Sequence, residues 1–290
     1  MMTPQKQGYI FIAITMCIWG GFTLTARLSA NWGIGAWDIT ALRFLLAFCI
    51  LMPILIYKKD TAFLWKKEPF ILAMIGGVCY CITAYSAFHY VPAAHAAIFL
   101  NGCIPLCTAV AAYLLFRQPF DRHTWLSLSI MLLAMAAMSG LMYQETGIAF
   151  SLGDGLFFLS AVLWGTFTVL LRQWKLSAWH SMAGVAIWAA IVFVPIYVLF
   201  LPKTIAHVQP VQLIAQVVFH GVFVGAFKTG SIVTLAPFIA AIIAVPLLNE
   251  PLSVAILCGL LGMGIGALQP WRWIRQDSLK AQLAQQKKQS

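Results

Sequence analysis

Residues 19–27 read WGGFTLTAR, and residues 164–172 read WGTFTVLLR. Trp, Gly, Phe, Thr and Arg recur in the two stretches at a single offset of 145 residues. A second match supports the first. Pro105 and Pro119 are answered by Pro237 and Pro251, each pair 14 residues apart, at an offset of 132. Self-similarity at such a distance signals an internal duplication. The first match falls early in each half and the second late, so the chain divides into two related halves.

Composition says what the halves are made of. The 290 residues are 62% hydrophobic and 9% charged, with a mean hydropathy of +0.89. A soluble domain carries about 25% charged residues, so this chain could not cover its own surface in water. Apolar blocks fall at about 8–28, 37–57, 70–89, 93–116, 124–143, 152–171, 179–201, 210–227, 231–248 and 253–270, and a span needs roughly 20 apolar residues. Backbone polar groups in lipid must be satisfied within each segment, so the blocks are helices. The first block is read as a retained signal anchor, because further spans follow it. The expected fold is an all-α polytopic membrane protein of about ten transmembrane helices. Five spans per half is an odd number, so the second half enters from the opposite side. The arrangement expected is two inverted five-helix repeats, at 1–143 and 144–275, with a polar cytoplasmic tail at 276–290.

The formal net charge of +10 is not a nucleic-acid footprint, because the basic residues sit between apolar blocks. Threading ten spans from a cytoplasmic N-terminus places fifteen of the eighteen Lys and Arg inside and only Arg27 and Lys203 outside, with Arg43 left within a helix. That asymmetry predicts cytoplasmic termini. The turn after span 4 carries Arg117 and Arg122 and lies inside, whereas its counterpart after span 9 carries Asn249 and Glu250 and lies outside. Eight of the eleven tryptophans fall near predicted span ends, as an aromatic belt does. The seven cysteines lie in apolar stretches and imply neither a disulfide framework nor a metal site.

On these residues the sequence resembles an EamA-type member of the drug/metabolite transporter superfamily. The resemblance is carried by Trp19-Gly20 with Arg27, by LRFLLA at 42–47, by IPLCTAVAAYLLFRQP at 104–119 and by APFIAAIIAVPLLNEP at 236–251. It implies ten spans, both termini cytoplasmic, and movement of a small organic solute, often as export. The expected activity is that of an inner-membrane transporter of a metabolite, amino acid or drug, working by alternating access between the repeats. The expected partners are a small-molecule solute and the lipid bilayer, with no nucleic acid and no cofactor. One departure is the short hairpin of spans 8 and 9: Pro210 to Pro237 is 27 residues, against 36 from Pro69 to Pro105. It keeps open a second reading, a non-transporting scaffold. An intramembrane enzyme is the third, although neither H-E-x-x-H nor G-x-S-x-G occurs.

Seven residues are candidates for the solute path. Pro105 and Pro237 are hinge candidates, because each lacks an N–H and frees a carbonyl four residues earlier. Asn101 falls with Ala94, Ala97, Pro105 and Thr108 at i, i+3, i+4 spacing, a small polar face suited to a cavity wall or to close helix packing. Arg43 is the one charged side chain well inside a span, at an insertion cost of about 2.5–3.5 kcal/mol if central. It meets a substrate carboxylate or an outer-gate carbonyl, pins span 2 to its neighbours, or reaches the interface. Trp19 and Trp164 stand away from the interface, each before a glycine, and offer an apolar plate with one donor. Tyr80, and more weakly Tyr85, lie in span 3. No acidic residue falls in mid-span: Asp38 and Asp154 lie at helix starts, Asp154 with Ser151 resembling a capping box.

Overall fold

In the computed structural model of the chain, residues 21–146, 150–219 and 253–268 are described. Among them the chain is helical throughout, with no strand. After α1 (21–31) come α2 (Ala36–Tyr57), α3 (Lys67–Ala87), α4 (Ala93–Phe116), α5 (Arg122–Thr146), α6 (Leu152–Gln173), α7 (Ala178–Phe200), α8 (Pro210–Phe219) and α9 (Val254–Leu268). α2 to α7 are six helices long and apolar enough to cross a membrane. Each matches an apolar block of the sequence to within a few residues. α9 falls within the last predicted span, and most of the predicted span 8–9 hairpin lies outside the described residues.

Local chemistry sets the helix ends. Ser151 caps α6: its hydroxyl accepts from the Asp154 N–H at 3.2 Å, and the Asp154 carboxylate accepts from the Ser151 N–H at 2.9 Å. Two orphan donors are thus satisfied reciprocally, which is the capping box expected from the spacing. Ser177 caps α7 by accepting from the His180 N–H at 3.1 Å. α4 closes on Arg117 in the left-handed region, two residues before Pro119.

α3 and α4 share a feature that sequence spacing did not foretell. Each contains a π-helical segment, Ala73–Cys79 in α3 and Ala96–Gly102 in α4. A π turn inserts an extra residue into the helix and re-aims the side chains around it. In α4 the π segment ends at Gly102, and a fresh α-helical stretch begins at Ile104. Pro105 stands in the first turn of that stretch, where a missing N–H costs little. The i, i+3, i+4 face drawn through Ala94, Ala97, Asn101, Pro105 and Thr108 therefore does not continue across the segment. Ala94 and Ala97 are buried, Asn101 is half-buried and Pro105 is exposed.

Packing is set by small residues where helices cross. α2 lies against α7, α5 against α9, and α6 against both α3 and α4. Gly165 of α6 faces the α4 backbone so closely that a Cβ there would stand 2.7 Å from the Thr108 nitrogen. Gly262 of α9 meets Ala134 of α5 in the same way. In lipid there is little hydrophobic drive between helices, so such close approach supplies the packing energy. The central core holds Tyr80, Tyr85, Phe88, Phe99 and Phe157, each about 2% exposed or less.

Candidate substrate site

α2 turns one buried stripe inward, through Ala36, Thr40 and Ala47. Arg43 lies between Thr40 and Ala47 at helical spacing, so its side chain enters the protein interior rather than reaching outward for the interface. Its Nη1 donates to the Tyr85 Oη at 3.3 Å, and its guanidinium stands 5.8 Å from the centre of the Phe22 ring. Phe22 in turn lies 5.7 Å from Tyr85. Arg43 also lies within electrostatic reach of Tyr80 and Cys81.

Tyr80 and Tyr85 reach this place from α3, just beyond its π segment. Tyr80 is 1% exposed, and its hydroxyl is buried with no hydrogen-bond partner among the described residues. Its ring packs 4.7 Å from that of Trp164 on α6. Trp164 is half-buried and packs in turn 5.1 Å from Phe167. Phe167 lies against Gly76 in the π segment, where a Cβ would collide with it. The glycine there lets α6 approach and bring Trp164 over Tyr80. A hydrogen bond of 2.7 Å between the Thr83 and Ser160 hydroxyls fixes the register of the two helices.

Three of the seven candidates, Arg43, Tyr80 and Trp164, therefore meet in one cluster contributed by α2, α3 and α6. Tyr85, the weaker candidate, supplies the one hydrogen bond that Arg43 makes among the described residues. Asn101 stands apart from these contacts: its Nδ2 donates to the Ala96 carbonyl of its own helix at 3.3 Å. Pro105 occupies the helix restart of α4. Trp19 and Pro237 lie outside the described residues.

A second polar group was not foreseen as a pair. His95 at the start of α4 and Asp154 at the start of α6 are both buried, and His95 Nδ1 lies 2.6 Å from Asp154 Oδ1. The two are 59 residues apart in sequence, so no local pattern connects them. Asp154 also serves the Ser151 cap, and its acceptor capacity is well used. Asp38 is spent similarly. Its carboxylate accepts from the Tyr197 hydroxyl and from the Thr204 N–H and Oγ1, the last at 2.8 Å, tying α2 to the segment after α7. At another point His180 Nε2 lies 3.0 Å from Asp60 Oδ2 and its ring stacks on Phe63, fastening the α2–α3 connection to α7. Among the described residues no group of three His, Cys, Asp or Glu is placed to hold a metal ion.

Residues 6–140 match the EamA-like transporter family, which bears out the resemblance read from the motifs. No curated protein matches the chain. Among solved structures, one described only as the crystal structure of a protein is similar over 90% of this chain and 95% of its own. Its TM-score is 0.59 at 17% identity, so the likeness concerns the fold alone. Together with the six apolar helices, the similarity of residues 6–140 to the EamA-like transporter family makes this an integral membrane protein.

Proposed function

We propose that the protein carries a small organic solute across a membrane by alternating access between two inverted five-helix halves, at 1–143 and 144–275. The observation that carries this reading is Arg43. A guanidinium with five donors stands on the inward face of a membrane-crossing helix with one long hydrogen bond among the described residues. In lipid an ionisable group of this kind marks a solute or ion path unless it is paired. The partly exposed Trp164 plate and the open Tyr80 hydroxyl provide the rest of such a path.

Helix packing supports the twofold reading. The second span of each half, α2 and α7, lie together, as do the fifth, α5 and α9. α6, the first span of the second half, packs on α3 and α4. α1 reaches the other half reciprocally, where Gln216 Nε2 of α8 donates to the Thr25 carbonyl at 3.1 Å and Phe219 lies against Gly21. Export from a bacterial cytoplasm, with both termini inside, is the direction that accords with the charge asymmetry. Pro105 and Pro237 are the hinge candidates in this scheme, with Asn101 and Trp19 on the walls. The test is initial-rate flux into proteoliposomes of a panel of labelled acids, amides and amines, against liposomes without protein. A protein-dependent, saturable flux of at least one compound is expected. Protein that is folded and inserted yet moves none favours the scaffold reading.

A further inference from the structure

We infer that the Arg43–Tyr80–Trp164 cluster binds the carboxylate of a small organic acid with an apolar or aromatic body, the bound anion being a counter-charge that Arg43 does not find among the described residues. The inference deepens the transport reading by naming its solute class, but the binding it describes is separable from movement.

The chain has eight acidic residues, and their employment can be followed one by one. Asp38 serves Tyr197 and Thr204, Asp60 serves His180, and Asp154 serves His95 and Ser151. Asp121 accepts from the Thr124 N–H at 2.8 Å at the start of α5, and Glu145 accepts from the Ala255 N–H at 3.4 Å at the start of α9. Glu68 is in the first turn of α3, about 18 Å along that helix from Tyr80 at 1.5 Å per residue. Glu250 and Asp277 lie outside the described residues, and the sequence puts them in a turn and in the polar tail. Among the described residues, then, every carboxylate is committed elsewhere or remote, and Arg43 has no ion-pair partner.

The chemistry of the ligand follows from what is present. One guanidinium offers a planar fork that suits a carboxylate held through two parallel N–H bonds. The Tyr80 hydroxyl is a further donor, already desolvated and unpartnered among the described residues. One cation without a second among the described residues favours a monoanion over a phosphate dianion, because Arg27 is occupied elsewhere, donating to the Phe88 carbonyl. Among the described residues no acid faces the cluster to receive an ammonium, so amines and cationic drugs are disfavoured. The Phe22 ring stands beside the guanidinium and the Trp164 ring beside Tyr80, aromatic surfaces against which an apolar body packs.

The experiment is equilibrium binding to the full chain in lipid nanodiscs, using labelled phenylacetate, phenylacetamide and phenethylamine. The three share one ring and differ in charge. Phenylacetate should bind about tenfold or more tightly than phenylacetamide, the scale of a charge-assisted hydrogen bond against a neutral one, and phenethylamine should bind weakest. Lipid partition runs the other way, favouring the neutral amide over the anion, and cannot imitate this order. Arg43→Gln should bring acid and amide to equal affinity. Arg43→Lys, which keeps the charge and loses the fork, should leave the acid preferred by a smaller factor, and it serves if the glutamine variant does not fold. Equal binding of acid and amide, a preference for the amine, no binding of the acid, or an acid preference unchanged in both variants overturns the inference. The preferred binding without flux in proteoliposomes would remove transport and leave the site. Equal flux of all three compounds would do the reverse.

Discussion

Two ionisable groups between helices, the buried Asp154 and the half-buried Arg43, are treated in opposite ways. Asp154 is enclosed by His95 and by the N–H and hydroxyl of Ser151, and its contacts lie between 2.6 and 2.9 Å. Among the described residues Arg43 has one hydrogen bond of 3.3 Å and the face of a phenylalanine ring. A charge removed from water without partners is costly, so a chain that satisfies the first so fully and the second so little has not run short of partners. Asp154 joins the starts of α4 and α6 and holds the fold. Arg43 keeps donors open where Tyr80 also keeps one, and donors left open together suit a ligand that comes and goes.

Substitutions break the comparison at its strong end first. Asp154→Ala removes the partner of a buried histidine and the carboxylate half of the α6 capping box together. The loss expected is about 3 kcal/mol or more of stability in detergent denaturation. A variant as stable as the wild type would mean that the pair is not structural. Asp38→Asn keeps one acceptor for Thr204 and loses the charge, so a smaller loss of about 1–2 kcal/mol is expected by the same measurement. At the weak end, Tyr80→Phe deletes a buried hydroxyl that satisfies nothing among the described residues. It should leave stability unchanged or raise it by up to about 1 kcal/mol, while weakening phenylacetate binding. A marked loss of stability would show that the hydroxyl has a structural partner and would remove it from the site.

What the sequence made legible follows the same division. The spans from α2 to α7 could be read because length and apolarity leave a chain in lipid few alternatives. The cap of α6 was visible because Ser151 and Asp154 are three residues apart, and Arg43 because a lone charge inside a span is conspicuous. His95 was invisible as the partner of Asp154, since the contact is made only when α4 and α6 come together. The π segments were also hidden: they depend on how α3 and α4 accommodate α6, and periodicity arguments assume a regular helix. That assumption is what misplaced Pro105 on one face with Asn101. Trp164 was picked for its depth and its glycine. The structure gives the reason for both, as Gly165 admits the α4 backbone and the indole is left lying over Tyr80.

The claim that Arg43 is kept open for a solute is tested most directly by flux per folded protein. Wild type and Arg43→Gln would be reconstituted side by side, with denaturation midpoints measured on the same preparations and initial rates of labelled phenylacetate uptake compared. The account predicts that the variant retains its midpoint and loses at least about nine-tenths of the rate, the scale of one charge-assisted hydrogen bond. Equal rates per folded protein would contradict it, and so would a loss of rate that merely follows a loss of folded protein.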